Sequence, residues 1–147
     1  MCLIAKTDKL KTATEDIHCF KRIEFIGRWN SIAFHTPFIY RSVPIDALIG
    51  NKDFVAVGDF SPIKENDGKY YIAEGVIHSY LIEAEAKNHS YSDEIVVECI
   101  IPKGTEYIEG FDNWGCPCVA SKKVRFVSFK TKWELRKTVI KTKTCSR

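Results

Sequence analysis

The chain has 147 residues, 45% of them hydrophobic and 12% aromatic, enough to furnish the core of one ordinary domain. Basic residues number 22 and acidic residues 19, a net charge of +3. That balance excludes a chain dominated by nucleic-acid contacts, and the composition excludes collagen-like, mucin-like and disordered classes. No stretch approaches the roughly 20 apolar residues of a membrane span, and the apolar run in Met1-Cys2-Leu3-Ile4-Ala5-Lys6 is too short for a secretory signal. The expectation is a soluble cytoplasmic protein with no membrane association.

In chain order, Asp16 to Ile26 carries apolar residues without helical spacing and predicts a strand that turns at Gly27. Arg28 to Tyr40 mixes aromatic and polar residues irregularly and predicts loop with short extended pieces. Val43 to Ile49 predicts a short helix beginning at Pro44 and closed by Gly50. Phe54 to Val57 is β-rich. Asn66-Asp67-Gly68 is the strongest hairpin turn signal, because these residues tolerate positive φ, and it pairs Ile63 with Tyr70-Tyr71-Ile72. Gly75 to Ser79 predicts an extended entry to a helix over Tyr80 to Lys87, with Ser79 as its cap. Glu94 to Ile101, nearly apolar on both faces, predicts a central strand covered on both sides, stopped by Pro102-Lys103-Gly104 with proline at the second turn position. Thr105 to Glu109 extends again, Gly110 to Cys118 predicts loop, and Val119 to Phe129 predicts a half-buried strand.

The last 18 residues, Lys130 to Arg147, hold seven basic residues and one acid, Glu134. Such a tail, with Trp133 for stacking, has the chemistry to grip nucleic acid, and the plainer reading is a solvated last strand with a frayed end. The plainer reading is preferred, so nucleic acid is not expected as the main partner.

The six cysteines are Cys2, Cys19, Cys99, Cys116, Cys118 and Cys145. Their low density and the apolar setting of Cys19 and Cys99 favour reduced thiols over a disulfide framework. Cys116-Pro117-Cys118 is the one close pair, and without two further ligands at zinc-site spacing it implies no metal. Cys19 and Cys99 lie where burial keeps a thiol neutral, which argues against nucleophilic catalysis. Phosphate-loop, dinucleotide-binding, zinc-protease and serine-hydrolase signatures are absent. His78 beside Ser79, at a predicted strand-to-helix junction, is the local arrangement that suggests ligand binding, since helix N-termini expose N–H donors to anions. The plainer alternative makes Ser79 a cap and His78 a satisfied strand residue.

Several segments together resemble an uncharacterised family of small phage and gut-bacterial proteins. They are a first strand over Glu15 to Ile23, Gly75-Val76-Ile77-His78-Ser79-Tyr80 before a helix, Ile100-Ile101-Pro102-Lys103-Gly104, Glu109-Gly110, and Ala120-Ser121-Lys122-Lys123-Val124. The resemblance leaves Arg28 to Phe60 unaccounted for and implies no activity. More distantly, the order of elements is similar to the mono-ADP-ribosyltransferase fold. That resemblance places Lys21 or Arg22 at the first-strand cation, Ser79 at the serine of the middle strand, and Pro102-Lys103-Gly104-Thr105 at a Pro-x-Gly-Thr turn. The strand that brings the catalytic glutamate in that fold here reads Ala120-Ser121-Lys122-Lys123-Val124, without an acid, so the resemblance implies the fold and argues against the activity.

The resulting expectation is one α+β domain over residues 1–147, with mixed or antiparallel sheets and one to three short helices. Its function is expected to be non-catalytic binding, of phage or prophage type, to a nucleotide-like ligand or a host protein, with no cofactor and no metal. The alternatives are an NAD-using ADP-ribosyltransferase-like enzyme and a nucleic-acid accessory protein acting through the tail. The ligand-binding residues expected are Lys21, Arg22, His78 and Ser79, walled by the Trp29 to Tyr40 segment.

Overall fold

The computed structural model describes residues 3–27, 33–36, 41–73 and 75–145. The first half supplies strands β1 (Leu3–Ala5), β2 (Lys11–Thr12), β3 (Ile17–Ile26) and β4 (Ala33–His35), helix α1 (Ile45–Leu48), and strands β5 (Phe54–Val55), β6 (Ile63–Lys64) and β7 (Tyr70–Ile72). The second half supplies β8 (Ile77–Tyr80), α2 (Glu83–Asn88), β9 (Glu94–Ile101), β10 (Glu106–Phe111), β11 (Pro117–Ser121), β12 (Lys123–Phe126) and α3 (Lys132–Cys145). The strands join in the order β5-β12-β9-β3-β8-β11-β10-β1-β7-β6, with β2 added to β10 and β4 to β3. Every pairing among the described residues is antiparallel. The chain is thus a single α+β domain, as the sequence led us to expect.

The longest ladder runs between β3 and β9, from Ile17 opposite Ile101 to Glu24 opposite Glu94. Side chains alternate across a strand and directly paired residues share a face, so this register sorts the core into two layers. One face carries Cys19, Ile23, Phe25, Ile95, Val97, Cys99 and Ile101, packed with Leu48 of α1 and Leu135 and Val139 of α3. The other carries Tyr80, Ile108, Cys118 and Ala120, packed with Leu3, Ile72 and Ala86 of α2. β9 therefore packs on both sides, which is why its sequence is apolar apart from Glu94, paired with Arg22, and the part-exposed Glu98.

The local signals at the turns hold. Gly27 has φ 117°, and Gly68 has φ 79° in the turn that pairs Ile63 with Tyr71. The turn after β9 differs in detail. Thr105 N–H donates to Pro102 O, so the proline is the first residue of the turn and Gly104, at φ 89°, takes the left-handed position. Gly110 lies inside β10 rather than in a loop, and a Cβ there would come within 2.2 Å of the Ile4 carbonyl oxygen, so glycine lets β1 close against β10.

Three expectations are corrected. Ser79 lies within β8, and α2 begins at Glu83 after Ile82, which has extended geometry and caps without a side-chain hydrogen bond. Ile77 to Tyr80 is claimed by pairing with β11, which overrides the helix expected to begin at Tyr80. Val119 to Phe129 is two strands broken at Lys122, whose ammonium group reaches the Gly58 carbonyl and the Asp59 carboxylate. The basic tail is a helix rather than a last strand. Thr131 Oγ1 accepts from Glu134 N–H while Glu134 reaches back to Lys130 N–H, close to a capping box, and Leu135 and Val139 bury one stripe at i, i+4.

Candidate functional site

The four residues expected to bind a ligand do not converge on one pocket. Phe20 pairs with Tyr80, so β3 and β8 are neighbours. This register puts Lys21 and Ser79 on the face with the Cys19–Cys99 pair, and Arg22 and His78 on the opposite face. All four are buried, with 2–8% of their surface exposed. Lys21 Nζ donates to the His78 carbonyl at 2.7 Å, and His78 Nε2 lies 2.9 Å from the Ala73 carbonyl. Arg22 is held by Glu94, Nε to Oε1 at 2.8 Å and Nη2 to Oε2 at 3.1 Å. Burial opposes the Arg22 charge, but the bonds and charge of Glu94 outweigh it and hold the guanidinium above its ordinary pKa. These groups are engaged inside the sheet. Of the proposed Trp29 to Tyr40 wall, only 33–36 lie within the described residues, as β4 and the residue after it.

Since Ser79 is a strand residue, Ser79→Ala is expected to leave helix content unchanged and to shift stability by no more than about 0.5 kcal/mol, not the roughly 1 kcal/mol of a lost cap. Far-ultraviolet circular dichroism and urea unfolding check this; a loss above 1 kcal/mol would contradict it.

On the Lys21 face, Cys19 and Cys99 stand opposite each other with sulfurs 3.3 Å apart. The bond between them pushes the Cys99 thiol well above its ordinary value, with burial acting the same way, and holds the Cys19 thiol below its own.

Reactive chemistry gathers elsewhere, where α2 meets the connection between β10 and β11. Asp112 opens that connection and is itself buried. Its Oδ1 accepts from Trp114 N–H and Cys116 N–H at 2.9 Å each, and its Oδ2 accepts from the Tyr80 hydroxyl at 3.0 Å. Burial and this bond raise the Tyr80 pKa. Asp112 thereby fixes the tight loop, whose Gly115 has φ 80°, and holds Cys116 toward α2. Glu85 of α2 and His89, the residue that caps its C-terminus, stand four residues apart. The Cys116 thiol donates to Glu85 Oε2 at 3.1 Å and lies 3.4 Å from His89 Nε2. Burial, then the Glu85 bond and the Asp112 charge, push this thiol up to about 11, and burial with Asp112 pushes neighbouring Cys118 up to about 12.

The His89 ring stacks with two others. The Trp114 ring lies 4.6 Å away at 15° and the Tyr80 ring 5.8 Å away at 19°. Trp114 nonetheless remains 66% exposed. Among the described residues, Glu85, His89 and Cys116 are the group whose donor atoms lie close enough together to hold a cation. In the sequence, the Cys116-x-Cys118 pair drew the search for metal ligands, and neither Glu85 nor His89 was singled out. The signal that would have found them is Glu85-x-x-x-His89, two donors at helical i, i+4 spacing.

No protein-family model, curated protein or solved structure matches this chain. Among the described residues no helix is long and apolar enough to cross a membrane.

Proposed function

We propose that this is a non-catalytic binding protein that takes a planar, nucleotide-like ligand on the stack of Tyr80, His89 and Trp114. The observation that carries the reading is Trp114 itself, an indole two-thirds exposed yet stacked on an imidazole that also stacks with a buried tyrosine. An exposed indole backed by stacked rings offers a rigid platform to a base, and stacking of this kind contributes roughly 1–3 kcal/mol per base. A protein partner is the other candidate occupant of the same platform. The phage or prophage setting implied by the resemblance of the chain, and a reducing cytoplasmic one, belong to the same proposal. The free thiols of Cys19, Cys99, Cys116 and Cys118 support the latter.

The transferase alternative has less support. β11 and β12 carry no acid from Pro117 to Phe126, and the two cations proposed for its first strand are committed to His78 and Glu94. Incubation with labelled NAD and lysate is expected to leave proteins unmodified. A nucleic-acid role draws on one observation, the outward face of α3, where Lys132, Arg136, Lys137 and Lys141 are exposed and Lys137 Nζ lies 5.0 Å from the Trp133 ring centre. It would be recognised by salt-sensitive binding that charge reversal at Lys132, Arg136 and Lys137 abolishes.

The stacking proposal is tested by calorimetric titration with a panel of mononucleotides and dinucleotides. Trp114→Ala is expected to weaken binding roughly tenfold or more while leaving the unfolding midpoint close to wild type, because little of the indole is buried. Equal affinity in the variant, or no binding by any member of the panel, would overturn it.

A further inference from the structure

We infer that Glu85, His89 and Cys116 form a site for one zinc-type divalent cation, with the fourth coordination position left open. The inference adds a metal to the corner that carries the stacking platform and rests on that reading only for what fills the fourth position.

The distances support a common ligand. Glu85 Oε2, His89 Nε2 and Cys116 Sγ are separated by 3.1, 3.4 and 3.9 Å. A point equidistant from three atoms so spaced lies about 2.0 Å from each, and a small shift out of their plane brings the separations to the roughly 2.0–2.3 Å of zinc–nitrogen, zinc–oxygen and zinc–sulfur bonds. Three donors already spaced like three corners of a coordination tetrahedron need little rearrangement to accept a cation.

The same atoms argue against a thiol nucleophile. In a Cys-His-acid relay the carboxylate holds the ring nitrogen remote from the sulfur, so that the three groups form a chain. Here Glu85 Oε2 lies 3.1 Å from the sulfur and 3.9 Å from the nitrogen that also faces the sulfur. The groups converge on a point instead of passing a proton along a line.

Donor chemistry selects the cation class. One thiolate, one imidazole and one carboxylate suit borderline metals of the zinc type, whereas magnesium and calcium require oxygen shells. Both sides of the site are fixed before any metal arrives. The stack of Tyr80 and Trp114 fixes the plane of the imidazole, and Asp112 fixes the loop that carries Cys116. The His89 and Glu85 side chains keep 21% and 35% of their surface exposed, which leaves the cation a route in. Three protein ligands with an open fourth position is the pattern of zinc sites that bind a water or ligand donor rather than of closed structural ones.

The test uses the full chain, freed of metal by chelation, and titrates it with Zn²⁺ by calorimetry and with Co²⁺ by absorbance. One equivalent is expected to bind, with a thiolate-to-cobalt charge-transfer band, while a large excess of Mg²⁺ does not compete. Cys116→Ser should abolish the band, and His89→Gln and Glu85→Gln should each weaken affinity at least tenfold; Cys118→Ser should change neither. Circular dichroism confirms that each variant is folded, and the two α2 variants carry the test if Cys116→Ser is not. Absence of metal uptake by the wild-type chain, or uptake that survives all three substitutions, would overturn the inference. Metal uptake without binding of any nucleotide upholds it and defeats the stacking proposal, while nucleotide binding by a chain that takes up no metal does the reverse.

Discussion

Glu94→Ala is expected to destabilise the protein by about 3–5 kcal/mol, because it removes from inside the sheet the carboxylate that takes two hydrogen bonds from the buried Arg22 guanidinium. Both side chains are almost wholly buried, at 6% and 2% exposure, and they meet through two hydrogen bonds. Glu94 Oε1 also accepts from Tyr91 N–H at 2.9 Å, and the Arg22 guanidinium lies 5.4 Å from the Tyr91 ring centre, so the carboxylate ties the turn before β9 to β3. Glu94→Gln keeps the shape and loses the charge, so its cost should be smaller. A joint replacement, Arg22→Met with Glu94→Leu, removes both desolvated charges and is expected to recover most of the loss. Urea unfolding of the three variants decides the matter. A Glu94→Ala variant within 1 kcal/mol of wild type would show that the pair is not the buried lock described here.

Asp112→Ala should be of similar size, about 3–5 kcal/mol, and should also disable the α2 corner. Its carboxylate satisfies two loop N–H groups and the hydroxyl of Tyr80, which is buried at 2% exposure. Each buried donor left without an acceptor costs roughly 1–3 kcal/mol. Without Asp112 the loop no longer holds Cys116 at 3.1 Å from Glu85, so the cobalt band expected of the wild-type chain should disappear together with the stability. Asp112→Asn retains an acceptor and a near-identical shape, and should restore a good part of both. Loss of stability with an unchanged cobalt spectrum would mean that Cys116 is positioned by something other than Asp112.

Much of the fold could be read locally. The strand over 17–26, the hairpin at Asn66-Asp67-Gly68, the short helix after Pro44 and the covered strand β9 each announce themselves within a window of about ten residues, because turn chemistry and alternation are local properties. The capping sequence Thr131-Lys132-Trp133-Glu134 was also present as a local signal for α3, though the run of basic residues drew attention to solvation instead.

What only the tertiary structure decided is which side of the sheet each residue faces and which distant segments meet. Lys21 and Arg22 are adjacent in sequence and lie on opposite faces, one bonded to the His78 carbonyl and the other to Glu94, because successive strand residues alternate while pairing register is a long-range property. Ser79 reads as a helix cap until β11 pairs with β8 and draws it into the sheet. The Glu85, His89 and Cys116 cluster joins residues up to 31 positions apart, and none of the three is informative alone. Composition and local pattern determine an α+β chain with a sizeable core. The packing of α2 against the Asp112 loop decides where its chemistry is, because donors separated along the chain acquire a shared meaning only when the fold sets their distances.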